Sequence, residues 1–247
     1  MRRRYLRGQV AMSRCRAVRT AIIDTGVSGR ALGRPKVPEV TLRVGPGGLV
    51  RVRRRRSRDY CGHGTVCAAI LLGLAPQVEL WSVSIVGDDR RACLIDLAAA
   101  IQWCVLAEVK VASISLGAAD PEAAALAPAC AMAEQAGVVL VAPSPLGGPV
   151  HFPAALPGVI SVGAEHLPEG VVRHHAFGVP EFAASGEPRF VQAGEEGLAY
   201  GGSFGPSYAA PRVAALAALL KERLPDARVG EIRDALIAQA ARGGVST

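Results

Sequence analysis

Three short stretches of the chain hold residue types that, brought together, could break an acyl bond. Asp24 closes the apolar run Ala21-Ile22-Ile23 and is followed by Thr25-Gly26. His63 sits in Gly62-His63-Gly64-Thr65, where an apolar helical pattern begins. Ser207 sits in Gly205-Pro206-Ser207-Tyr208-Ala209-Ala210-Pro211, where another begins. A hydroxyl, an imidazole and a carboxylate are the parts of a nucleophile, its base and the group that orients the base. Each stretch alone has a plainer explanation. Strands end in Asp for turn reasons, a histidine at a helix start can be a surface or capping residue, and a serine there is commonly an N-cap. The locations nonetheless suit chemistry. Open α/β sheets place sites beyond the carboxyl ends of their strands, and a helix N-terminus favours negative charge. Glycines on both sides of His63 let neighbouring groups approach closely.

For these residues to meet, the elements that carry them must stack in one body. Short apolar or β-branched runs at 18–23, 78–83, 109–115, 137–142 and 158–163 read as strands. Between and after them, 63–72, 93–106, 122–135, 207–223 and 229–241 read as helices. Val213, Leu216, Leu219 and Leu220 form one stripe of the fourth helix, and Pro225 sets its end. Alternation of this kind predicts an α/β fold, a three-layer sandwich with a mostly parallel central sheet flanked by helices. The expected organisation is a basic extension over 1–17 and one domain over 18–247. Residues 30–58, rich in Pro, Gly and Arg, read as a long surface insertion within it. Trp81 and Trp103 are expected in the core, and His174 and His175 on a surface loop.

The net charge of +7 is unevenly placed. Residues 1–19 hold seven arginines and the run from Arg51 to Arg58 holds six, leaving 15 basic against 21 acidic residues elsewhere. Such runs read as solvated loops; the sharper reading is a hold for an acidic partner. Neither run is interleaved with aromatics, which speaks against nucleic acid. No stretch has the apolar length to span a bilayer, and arginines interrupt the basic start where an export signal needs an apolar core. These features lead us to expect a cytoplasmic protein with no membrane partner. The six cysteines, none in a CxxC pair, fit free thiols and give no support for a metal site.

In order and context the three stretches resemble the subtilisin-like serine proteases, the subtilases, whose triad runs Asp, His, Ser along the chain. The spacings of 39 and 144 residues are compatible with that family. Gly73-Leu74-Ala75-Pro76, Ser113-Ile114-Ser115-Leu116-Gly117 and the stretch from Pro153 to Ala164 resemble further family motifs in the expected order. The resemblance covers about residues 18–241. It implies a serine endopeptidase without a cofactor, acting on a peptide or protein substrate. Ser207 would be the nucleophile, His63 its base and Asp24 the residue that orients the imidazole. Ser115, Leu116 and Gly117 would pair with an extended substrate and line the pocket for the residue before the cut. The segment from Arg90 to Leu94 would form the opposite wall.

Two departures from the family pattern concern the oxyanion hole. Leu146 aligns with the family's donor asparagine, and Pro206 replaces a threonine, leaving the backbone N–H of Ser207 as donor. Loss of one donor typically costs ~10²–10³ in rate. The expectation is therefore a slow, selective processing protease, such as one that matures a precursor or removes a leader, without signal or inhibitory prodomain. An acidic leader could lie on the run from Arg51 to Arg58. The alternative is a silent subtilase-fold scaffold that binds peptides. Ser144 is a candidate to replace the missing donor. The short spacing from His63 to Gly73 contains no carboxylate, so calcium is not expected there.

Overall fold

Along β1 (Arg19–Asp24), Ala21 and Ile23 join one apolar cluster and Ile22 joins another, and all three are fully buried. A strand that buries both its faces must lie between two layers. The computed structural model describes residues 17–53, 59, 61–87, 91–192, 199–200 and 202–243. The N-terminal basic extension therefore lies almost entirely outside the described residues, and so does most of the second arginine run.

The remaining strands of the main sheet are β2 (Glu39–Val44), β3 (Val50–Arg53), β4 (Glu79–Ser84), β5 (Val111–Ile114), β6 (Val139–Pro143), β7 (Val159–Glu165), β8 (Val172–His174) and β9 (Phe182–Ser185). Their order is β3-β2-β4-β1-β5-β6-β7-β9-β8. All neighbours are parallel except the two edge pairs, β2 with β3 and β8 with β9. One face carries α1 (His63–Leu74), α4 (Pro206–Arg223) and α5 (Val229–Ala241); the other carries α2 (Leu94–Leu106) and α3 (Ala127–Gln135). This is the expected three-layer sandwich. β1 lies between β4 and β5: the chain builds one side of the sheet with β2, β3 and β4, then crosses over to start the other side at β5, so the crevice beyond the end of β1 is a topological switch point. Asp24 is the last residue of β1.

Several expectations need correction. Residues 30–58 are not simply a surface insertion, since β2 and β3 extend the sheet. Val40 and Leu42 alternate into the core and are fully buried, while Asp96 of α2 accepts from the Val44 N–H at 2.6 Å. The expected helix over 122–135 is interrupted: Pro121–Leu126 forms a tight 3-10 segment and α3 begins only at Ala127. Pro128 explains the break, because it lacks the N–H an α-ladder would need and fits only a first turn. Trp81 and Trp103 are half-buried, with ring centroids 5.4 Å apart and Arg19 above Trp81. His174 ends β8 instead of lying in a loop, and the half-buried His175 meets Glu165 at 3.3 Å. Among the described residues no helix is long and apolar enough to cross a membrane.

The correction at β2 is measurable. Leu42→Ala should lower unfolding free energy by ~2–5 kcal/mol, as core truncations do. Leu49→Ala, at a residue 67% exposed, should change it by less than about 0.5 kcal/mol. Chemical denaturation of both variants checks this; equal small effects would return the segment to the status of a surface loop.

Candidate active site

Asp24 is fully buried, so its charge needs partners. The backbone N–H of Thr25 donates to Oδ1 at 2.6 Å. His63 Nδ1 lies 2.9 Å from Oδ1 and 2.8 Å from Oδ2. Two glycines make that contact possible. Gly62, the N-cap of α1, has φ 78°, a left-handed conformation that costs other residues strain. At Gly64 a Cβ would stand 2.2 Å from the carbonyl oxygen of Gly26 and 3.0 Å from Asp24 Cβ. Only a residue without a side chain lets α1 come this close to the end of β1.

A residue that sequence reasoning missed holds the same junction. Asp59 is buried, and its carboxylate accepts from Thr25 Oγ1 (2.8 Å), Cys61 N (3.2 Å), Gly62 N (2.7 Å), Thr65 N (2.8 Å) and Thr65 Oγ1 (2.6 Å). Thr25 Oγ1 in turn accepts from the Gly64 N–H at 3.0 Å, and Thr65 Oγ1 from the Ser28 N–H at 2.9 Å. One carboxylate thus caps α1 and fastens it to the loop after Asp24. Its only trace in the sequence is an acidic residue three before Gly62, directly after an arginine run.

Burial of the ring works against the charged form of His63. The charge of Asp24 and its hydrogen bond act the other way and prevail, pushing the imidazole from 6.5 up to about 12. Cys67 approaches the same ring nitrogen, with Sγ 3.9 Å from Nδ1. Burial pushes its thiol up. A fully buried, protonated thiol is a weak donor and a poor nucleophile. Asp24, His63 and Cys67 present donor atoms within 4.8 Å of one another. A metal there would have to strip the proton from that thiol and displace the Nδ1 contact with Asp24.

Ser207 arrives from α4 on the same side. Gly205 is the N-cap and Pro206 the first helical residue, where its fixed φ is an advantage. Ser207 is therefore not the N-cap that the plainer reading assigned. It is half-buried, and its hydroxyl makes no hydrogen bond among the described residues. Cys67 Sγ donates to the Ser207 carbonyl at 3.5 Å, and the Tyr208 ring centroid is 5.2 Å from that of His63. Serine and imidazole are thus neighbours without the direct bond that joins the imidazole to Asp24. The first turn of α4 is held by Arg212, which is buried and donates to the carbonyls of Tyr208 (2.7 Å) and Ser185 (3.1 Å) and to Glu169 (3.0 Å).

Ser115, Leu116 and Gly117 continue from β5 beside the end of β1, and the Ser115 N–H donates to the Ile23 carbonyl at 3.4 Å. Ser115 is buried, Leu116 half-buried and Gly117 exposed, as a strip with one accessible edge would be. Of the expected opposite wall, Arg90 lies outside the described residues. The rest is anchored by the Val86–Ala92 bridge. Leu146 follows β6, is 41% exposed, and packs with Pro180 over Gly163 of β7. Ser144 does not answer the expectation of a replacement donor. It is fully buried, and its hydroxyl accepts from the His151 N–H at 3.3 Å, so a substrate oxygen cannot reach it as it stands.

With the geometry in hand, comparison with known proteins is informative. The family profile described as "Subtilase family" matches residues 16–247. Subtilisin BL from Lederbergia lenta is 31% identical over 231 residues, covering 89% of this chain and 81% of the relative. Alkaline elastase YaB from Bacillus sp. (strain YaB) is 30% identical over 241 residues, 93% of this chain, which spans 61% of that relative. Among solved structures, the S41 psychrophilic protease superposes with a TM-score of 0.73 at 24% identity, covering 92% of this chain and 84% of that one. A lanthipeptide protease superposes at 0.66 and 21% identity, covering 90% and 79%.

Removing the carboxylate of Asp59 would leave the N–H groups of Gly62 and Thr65 and the Thr25 and Thr65 hydroxyls without their acceptor. Asp59→Ala should cost on the order of 3 kcal/mol in denaturant unfolding, from buried donors left unpaired. A loss below about 0.5 kcal/mol, the usual surface value, would show that the junction does not depend on it.

Proposed function

The chain belongs to the subtilase family of serine peptidases, and from that premise we propose that Asp24, His63 and Ser207 act together in peptide-bond hydrolysis. The observation that supports this reading is the buried Asp24 paired with the half-buried His63, beside a Cys67 that also meets the Ser207 carbonyl. Ser207 Oγ attacks the scissile carbonyl while His63 Nε2 takes its proton. The proton then passes to the leaving amine, and water reverses the same steps on the acyl-enzyme. Asp24 holds Nδ1 protonated so that Nε2 faces the serine, and it stabilises the imidazolium that forms. Main-chain pairing of the substrate with Ser115, Leu116 and Gly117 supplies register.

The anion side of the reaction is weaker than the base side. Leu146 offers no donor and Pro206 no hydroxyl, and the chain contains no asparagine anywhere. What remains is the Ser207 N–H at the start of an 18-residue helix, whose dipole favours an anion. A site of this kind suits one selective cut per substrate better than general digestion. We therefore read the protein as a processing protease for a precursor or leader peptide. The fold it shares with a solved lanthipeptide protease fits that use. An acidic leader would find Arg51 on the exposed edge strand β3. The described cysteines Cys61, Cys67, Cys93, Cys104 and Cys130 are free thiols, which suits a reducing, cytoplasmic setting. The same weakness favours a second reading, a silent peptide-binding scaffold.

A fluorophosphonate probe separates the two. Hydrolase chemistry predicts added mass at Ser207, lost in Ser207→Ala and in His63→Ala. It also predicts a labelling rate that rises with pH through a midpoint above 6.5, because His63 must shed its proton before it can act as base. Asp24→Asn should move that midpoint down. Absence of labelling on folded protein would leave the scaffold reading.

The oxyanion assignment has its own test. Leu146→Asn should raise kcat/KM on short peptide substrates by about tenfold or more, a part of what one such donor is worth. Unchanged turnover in a folded variant would mean that position 146 does not face the oxyanion.

A further inference from the structure

His151 takes no part in the steps above, yet its ring abuts the strip assigned to the substrate. A Cβ on Gly117 would stand 3.4 Å from His151 Cβ, 3.4 Å from His151 Nδ1 and 3.2 Å from the carbonyl oxygen of Pro143. Gly117, the end of β6 and the imidazole therefore meet at contact distance, and Gly117 itself is exposed beside them. The backbone that presents the ring is fixed on both sides. Ala118 and Phe152 exchange N–H···O bonds of 3.2 and 2.9 Å, the His151 N–H donates to Ser144 Oγ, and the His151 carbonyl accepts from the Ala155 N–H at 3.0 Å. The ring nitrogens have no hydrogen bond or ion pair among the described residues, although His151 is half-buried.

We propose that His151 lines the pocket for the residue immediately before the scissile bond and selects peptides with a carboxylate side chain, Glu or Asp, at that position. The inference rests on the reading of Ser115, Leu116 and Gly117 as the substrate strip. A half-buried imidazole offers an N–H whether neutral or protonated, and a carboxylate gives it a charge-assisted bond. An apolar side chain laid against the ring would cover its nitrogens and leave them unpaired, which is the costlier arrangement. Rigid presentation matters too: a side chain whose main chain is held by two hydrogen bonds, with two more on the next residue, loses little freedom when a ligand pairs with it.

The test reads binding and chemistry separately. Acetylated tetrapeptides ending in Glu or in Leu, which mimic the acyl half of a cut substrate, are titrated calorimetrically into wild type, His151→Gly and His151→Gln. The expected result is a preference of about tenfold or more for the Glu peptide in wild type, abolished in His151→Gly and partly kept in the similarly sized amide variant. Equal affinity for the two peptides in wild type, binding of neither, or a ratio unchanged in both variants overturns the proposal. Fluorophosphonate labelling of Ser207 in the same preparations keeps the two readings apart. Labelling with an unaltered Glu-to-Leu ratio removes the role of His151 alone. A His151-dependent preference without labelling keeps the pocket and removes the hydrolase.

Discussion

A carboxylate with no access to water is the constraint around which this molecule is arranged. Asp24 ends an interior strand, and nothing in a low-dielectric interior tolerates its charge unless donors are placed around it. The donors are the Thr25 N–H and the imidazole of His63, and the second of these belongs to another element. Helix α1 must therefore approach the end of β1 more closely than ordinary side chains allow. That requirement accounts for Gly64 against the Gly26 carbonyl, for the left-handed Gly62, and for Asp59 gathering the loose N–H groups of the turn. These features lie next to one another in space because a single buried charge requires each of them.

Ser207 is placed by different means. Its helix is positioned by a second buried charge, Arg212, which ties the first turn of α4 to the end of β9 and to Glu169. Glu169 also meets Arg189 at 3.5 Å, and the Arg189 guanidinium packs against Gly73 near the end of α1. The helices bearing the imidazole and the serine are thus tied together at a distance through ionic groups, and near the site through Cys67 and Tyr208. No hydrogen bond closes the gap between the Ser207 hydroxyl and the ring among the described residues. In hydrolases of this type that bond commonly tightens only with substrate present.

The parts of this arrangement that were legible in the sequence share a feature: they recur with a period or follow a sharp boundary. β1 and α4 announce themselves through apolar runs, and α1 through glycines around a histidine, so the layer order and the Asp24–His63 junction were legible. β2 could not, although Val40, Leu42 and Val44 alternate as a strand should. Prolines and glycines on either side and the arginine run after it outweighed a three-residue pattern, and only the packing of α2 over Leu42 shows that the segment is core. Asp59 was illegible for another reason. A carboxylate that serves backbone N–H groups leaves no periodicity and needs no particular partner type. His151 likewise gains meaning only from Gly117, 34 residues earlier in the chain and adjacent only after folding. Leu146 is the converse case, visible only because a family resemblance says what should stand there.

These two halves of the site imply an unequal division of labour. On the base side, Asp24, Thr25, Asp59 and two glycines over-determine the position of one ring. On the anion side, under the reading proposed above, Leu146 and Pro206 stand where the family has amide and alcohol donors, and the remaining help would come from a single N–H and a helix terminus. Acyl transfer needs both: a base without an oxyanion hole forms the nucleophile and then leaves the tetrahedral intermediate without stabilisation. A deficit of one donor, ~10²–10³ in rate, is small beside the 10⁶-fold or greater accelerations typical of enzymes, roughly speaking, so it slows such a site without emptying it of chemistry. The same deficit penalises poorly held substrates most, because they lack binding energy with which to compensate. A peptide gripped along Ser115, Leu116 and Gly117 would retain useful turnover where a casual one would not. Selectivity of this sort follows from a weakened hole even before any pocket discriminates among side chains.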